Sequence, residues 1–200
     1  RALGKISLYF FNAIKQVFSP MITELWSKKH TKELQMHLNE LIDYTLILAL
    51  PIGITLSVYS KEIITLLYSL EFAKVSHIMS LISISFILLI PSVLFRTIFL
   101  SIGKPKDARN LVYFSFIINL ILNIVLIKLY GLLGAIISEI VTNILASIYG
   151  YYIYKKLTKI KLNFFSMLKI GFSSCIFFII IYFQHSIYGM NLLTLFIFLV

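Results

Sequence analysis

Acidic residues and cysteine are the scarcest chemistry in this 200-residue chain. Eight Asp and Glu stand against eighteen Lys and Arg, and Cys175 is the single cysteine. A lone thiol excludes a disulfide framework and a cysteine metal cluster. The four histidines, His30, His37, His77 and His185, are scattered, and no two have the i,i+4 spacing of a helical metal site. No Gly-rich loop leads into a polar helix, so no phosphate cradle is expected. These shortages argue against an enzyme: no catalytic residue, cofactor or metal is expected. Charge of either sign is also low, at 13% of residues against about 25% in soluble domains.

Apolar residues fill the space that charge leaves. They make up 60% of the chain and give a mean hydropathy of +0.95, well above soluble usage. The apolar runs reach the ~20 residues needed to cross ~30 Å of hydrocarbon, and no alternating pattern suggests barrel strands. The expected fold is therefore all-α, a polytopic transmembrane helical bundle in the cytoplasmic membrane. Spans are expected at residues 2–26, 38–59, 78–102, 111–129, 132–154 and 164–183, with a truncated seventh from residue 192. Because the last run stops without a loop, the chain reads as a piece of a longer protein.

Charge alternates along the loops. Lys28, Lys29 and Lys32 occupy the first, Lys104, Lys106 and Arg109 the third, and Lys155, Lys156, Lys159 and Lys161 the fifth. In the second, Lys61, Glu62, Glu71 and Lys74 cancel; the fourth holds little beyond Lys128 and the sixth no Lys or Arg. The positive-inside rule makes the first, third and fifth loops cytoplasmic. The net charge of +10 is thus an orientation signal, and no nucleic-acid partner is expected.

Polarity inside the spans is the remaining signal. Asn12, Lys15, Gln16, Ser19 and Thr23 form one stripe on the first span, and Ser85, Ser92 and Arg96 recur on the third. Ser115, Asn119 and Asn123 follow on the fourth, and Glu139, Thr142, Asn143, Ala146 and Gly150 on the fifth. Such stripes face protein or a water-filled cavity. Two readings stand: interhelical hydrogen bonding, favoured for the Ser, Thr, Gly and Ala positions, and a substrate path, favoured for Lys15 and Arg96. Pro20, Pro51 and Pro91 fall in or near the first three spans, where proline kinks a helix and frees a carbonyl.

The stretch Asn119-x3-Asn123-x2-Leu126-Ile127, followed by Tyr130-Gly131-x2-Gly134-Ala135, resembles the C-terminal half of the lipid-linked polysaccharide and O-antigen flippases. These belong to the multidrug, oligosaccharidyl-lipid and polysaccharide exporter superfamily. Pro20, the Leu50-Pro51-Ile52-Gly53 break and Gly103-Lys104 fall in the family's order, whereas Ser69 stands where members usually carry glycine. The resemblance implies the C-terminal lobe of a two-lobed, inverted-V exporter fold, with residues 1–154 as core helices and 155–200 as peripheral ones. It implies alternating-access transport of a polyprenyl-pyrophosphate-linked oligosaccharide, with membrane lipid as the second partner and a proton or sodium as a coupling ion. The expected substrate path comprises Asn12, Lys15, Gln16, Arg96, Asn119, Asn123, Glu139 and Asn143, and Asp43 with Arg96 an inner gate. A cation-coupled multidrug exporter is the nearest alternative; a membrane glycosyl polymerase or ligase is disfavoured, because no outer loop gathers acids or histidines. Depth counted from the span ends puts Lys15 level with Glu139 and Arg96 level with Asp43. Each pair is therefore expected as an ion-pair layer, unless water and backbone carbonyls hold the charges separately.

Overall fold

The computed structural model describes residues 2–67, 76–158 and 160–188, with side chains placed from Lys15 onward except at 67, 164 and 185–188. Seven helices account for nearly all of them. They are α1 (Ala2–Ser27), α2 (Thr31–Val58), α3 (Ser60–Leu67), α4 (Ser76–Ser101), α5 (Pro105–Tyr130), α6 (Leu132–Thr158) and α7 (Phe164–Tyr188). No strand occurs among the described residues, as the all-α reading requires. Five helices are long and apolar enough to cross a membrane: α2, α4, α5, α6 and the 165–184 part of α7. The polar-striped α1 is not among the five. The segment at Ser69 and the span expected from 192 lie outside the described residues.

Helix boundaries follow local chemistry rather than the apolar runs. α5 starts six residues before its expected span because Pro105 suits a first helical position and Asp107 meets the positive end of the helix dipole. At its other end Lys128 sits in the last turn and Gly131, at φ 59°, terminates the helix. Gly103 (φ 71°) and Lys29 (φ 57°) make the other sharp reversals with left-handed backbone. At the start of α7, Asn163 Oδ1 accepts the Ser166 backbone N–H at 3.3 Å, an N-cap that satisfies one orphan donor.

α4 is the hub, packing against α1, α2, α3, α5 and α6, while α7 leans on α2. Side-chain hydrogen bonds between helices set the register. Ser19 and Ser101 meet at 2.7 Å (α1–α4), Ser57 and Ser80 at 2.7 Å (α2–α4), and Asn143 Nδ2 donates to the Ser85 carbonyl at 3.2 Å (α6–α4). With the Phe95 ring against Gly150 and Tyr154 farther along the α4–α6 seam, these bonds make α1, α4 and α6 parallel to one another and α2 antiparallel. The ends of α1, α4 and α6 thus share one face of the bundle with the starts of α2, α5 and α7, and that face carries the three basic loops. Beneath it lies the main core, including Ile22, Leu38, Leu94, Phe99 and Tyr154, with Phe95 and Tyr154 ring centroids 5.8 Å apart. A smaller cluster at the opposite end joins Tyr59, Ile63 and Ile181.

Outward faces remain apolar. Phe116, Ile117, Ile121, Ile124 and Leu129 of α5 are exposed, which suits hydrocarbon and would be untenable in water. If the basic face is cytoplasmic, single cysteines replacing exposed Lys106 and Lys61 in a cysteine-free full-length protein will react with impermeant maleimide from opposite sides. The first should be labelled only from the cytoplasm and the second only from outside, as scored by gel shift in intact and lysed cells. Labelling of both from one side would reject this orientation.

Candidate functional site

The α5–α6 hairpin turns at Gly131 and brings two polar stripes into one cleft. Gly134 is buried where a Cβ would collide with the Leu126 carbonyl, so this glycine allows the two backbones to close at the turn. Farther along, Asn123 Nδ2 donates to Asn119 Oδ1 at 2.7 Å, and Asn119 Nδ2 to Thr142 Oγ1 at 3.4 Å. Thr142 in turn donates to the Ser138 carbonyl at 2.7 Å. Buried Asn143 reaches α4, bonding the Ser85 carbonyl and Oγ. The cleft they line measures about 490 Å³, is open on one side, and includes Ser115, Glu139, Val112 and Phe116 in its walls. Glu139 is exposed; among the described residues it makes no ion pair.

Four of the expected path residues, Asn119, Asn123, Glu139 and Asn143, therefore meet in one place. The three amides each donate to a neighbour, and no donor among the described residues meets the Asn123 side-chain oxygen or the exposed Glu139 carboxylate on the cleft wall. This arrangement presents oxygen and one negative charge. It suits a cation or a hydroxyl-rich ligand better than an anion.

The cations lie elsewhere. Lys15 and Arg96 are both exposed, on packed neighbours. Lys15 is four residues before Ser19 and Arg96 five before Ser101, and those serines touch, so the two cations stand within about 2 Å of one height. Ser19 and Thr23 of the α1 stripe serve packing instead, Thr23 also donating to the Ser101 carbonyl at 2.9 Å. Gln16 is exposed beside Lys15; Asn12 lies on α1, its side chain outside the described set.

The Lys15–Glu139 layer is not formed. Glu139 is on α6, which packs against α4 and α5, whereas α1 packs against α2 and α4. From the Asn143–Ser85 contact, Glu139 lies four residues toward one end and Arg96 eleven toward the other. This separates Glu139 from the height of Lys15 and Arg96 by roughly 20 Å. Counting from the span ends misplaced them because these helices run 26 to 28 residues, roughly 40 Å, and overhang a ~30 Å core unequally. Asp43 does share a height with Arg96, yet among the described residues no ion pair joins them. Its Oδ2 accepts the Ser166 hydroxyl of α7 at 2.6 Å, and nearby Asn39 Oδ1 accepts the Asn163 backbone N–H at 3.0 Å. Sequence reasoning missed this α2–α7 clasp; its one legible trace was the Asn163-x2-Ser166 capping pattern.

A bundle of span-length apolar helices with close small-residue packing and a polar-lined cleft defines a polytopic helical membrane protein. Comparison with known proteins specifies which. The family model for the lipid II flippase MurJ matches residues 7–200, and the chain belongs to that family, in the cell membrane. A solved structure of lipid II flippase MurJ in an inward closed conformation superposes with a TM-score of 0.74 at 17% identity, covering 99% of this chain and 43% of the other. An uncharacterised membrane protein of Methanocaldococcus jannaschii is 28% identical over 145 residues, 72% of this chain and 27% of the relative. A probable low-salt glycan biosynthesis flippase of Haloferax volcanii is 24% identical over 133 residues, 66% and 28% of the two chains. A capsular polysaccharide biosynthesis protein of Staphylococcus aureus, CapF, is 24% identical over 149 residues, 74% and 37%. The chain thus spans 27% to 37% of the length of these curated relatives.

Proposed function

We propose that the full-length protein is a flippase that turns a lipid-linked oligosaccharide through the cell membrane by alternating access, for cell-surface glycan synthesis. The observation that carries this reading is the pair Lys15 and Arg96, two exposed cations at one height, one on α1 and the other on the span-length α4 that packs against it. Neither is in an ion pair with another described residue. Cations retained at that depth need an anion, and a pyrophosphate linking sugar to polyprenyl supplies one. Arg offers planar bidentate donors and Lys a mobile point charge, both suited to phosphate oxygens. Sugar hydroxyls then find acceptors in the amide-lined α5–α6 cleft while the polyprenyl chain stays in lipid. Glu139, exposed in that cleft, supplies the counter-charge for a coupling ion, proton or sodium.

The same carboxylate favours a second reading, a cation-coupled multidrug exporter, in which Glu139 would meet a cationic substrate instead. One experiment separates them. Full-length protein is reconstituted in vesicles with a fluorescent polyprenyl-pyrophosphate oligosaccharide, and an impermeant reductant is added. Protein-dependent bleaching beyond the outer-leaflet fraction supports the flippase. Bleaching equal to protein-free vesicles, with uptake of lipophilic cations under an ion gradient, would replace it with the exporter.

A further inference from the structure

α7 touches α2 at both ends and leaves a gap between. At the basic end the clasp of Ser166 on Asp43 and Asn163 on Asn39 pins it. At the far end Ile181, fully buried, and Phe177 pack into the cluster of Tyr59 and Ile63. Between these contacts lies a notch of about 400 Å³, beside Pro51 of α2, where a proline interrupts helical hydrogen bonding and favours a bend. Its floor is apolar, made by Ile47, Pro51, Ile170 and Phe177, and its polar groups, Lys169 and the Ser173 and Ser174 hydroxyls, come from α7. Ser174 is committed to the Ile170 carbonyl at 2.8 Å; Ser173 is exposed.

Lys169 gives the notch its character. It is exposed about five residues into α7, its ammonium 4.6 Å from the Phe165 ring centroid, and it belongs to none of the ion pairs of the described residues. The nearby acid on the facing helix, Asp43, already holds the Ser166 hydroxyl. Lys155, Lys156 and Lys161 lie at the same end, so the local field favours an anion. A cation beside an apolar slot toward the basic end of the bundle matches one ligand in both halves: phosphate outside, acyl chain inside. The volume lies in the range of small-molecule sites.

We infer that the α2–α7 notch holds an anionic glycerophospholipid of the basic-side leaflet, its phosphate on Lys169 and Ser173 and one acyl chain along Ile47, Ile170 and Phe177. This ligand is a resident of the membrane and separate from the transported molecule, whose proposed contacts lie on α1, α4, α5 and α6. The occupied notch completes the seam between α7 and the bundle.

Native mass spectrometry of the full-length protein, exchanged with phosphatidylglycerol or phosphatidylcholine of identical chains, tests this. Wild type is expected to retain phosphatidylglycerol preferentially. Lys169→Gln should lower that retention about fivefold, the equivalent of one basic residue near ~1 kcal/mol, and Ser173→Phe, which fills the slot, should lower retention of both lipids. Lys15→Met should leave retention unchanged, which separates this site from the proposed transport path even if that path is misassigned. Equal retention of the two lipids by wild type, or undiminished retention by Lys169→Gln, would overturn the inference.

Discussion

Full-length protein carrying Lys15→Met together with Arg96→Met is expected to lose flipping by about a hundredfold or more while reaching the membrane at near wild-type abundance. A hydrogen bond to a charged group contributes about 1.5 to 3 kcal/mol. Each single change should therefore cost about tenfold or more, and the two together more than either. Abundance should hold because both side chains are exposed and no described carboxylate pairs with them, so neither change strands a buried charge. Lys15→Arg should keep most activity. The measurement is the fluorescent-lipid assay in proteoliposomes, normalised by immunoblot. A double variant that flips at the wild-type rate would remove both cations from the path and with them the main support for an anionic substrate.

The second large effect is on folding. Gly134→Ala is expected to cost more than about 3 kcal/mol, because its Cβ would strike the Leu126 carbonyl carbon and oxygen, and backbone at a hairpin cannot yield as a side chain can. At Gly150 the obstacle is the Phe95 ring, with Cδ2 at 2.8 Å, so Gly150→Ala should cost about 1 to 3 kcal/mol. Around Gly171 nothing lies within 4 Å, and alanine there should be neutral. Membrane abundance and the temperature of half-loss of monodisperse protein should fall in that order, with Gly134→Ala the lowest. A stable Gly134→Ala protein would show that the hairpin can open without penalty.

Why some of this was legible and some was not follows from what each inference needed. Asn119 and Asn123 are one turn apart, as are Glu139 and Asn143, so helical periodicity alone placed each pair on one face. Only the Gly131 turn and the small Gly134 were then needed to bring those faces together, and both are local. Lys15 and Glu139 required a long-range register that no local pattern carries; a slab-depth count supplied the wrong one. Asp43 found its partner at Ser166, 123 residues away. Its expected partner, Arg96, is level with it, yet no ion pair joins the two among the described residues. Lys169 sits inside an otherwise apolar run, and its meaning depends on the gap beside Pro51, which exists only once α7 is laid against α2.

The hydroxyl groups that set the register around α4 have another property. Ser101 Oγ, while meeting Ser19, also donates to the Thr97 carbonyl of its own helix at 3.0 Å, and Thr23 divides its proton between the Ser19 and Ser101 carbonyls. Each can therefore let go of the neighbouring helix and keep a partner within its own. Interhelical hydrogen bonds in a bilayer average about 0.6 kcal/mol, and here release leaves Ser101 and Thr23 bonded within their own helices, with Ser19 alone giving up its acceptor. The α1–α4 seam is latched by catches that spring back onto their own helix, so the two helices can shear by a turn with little opposition from polar groups.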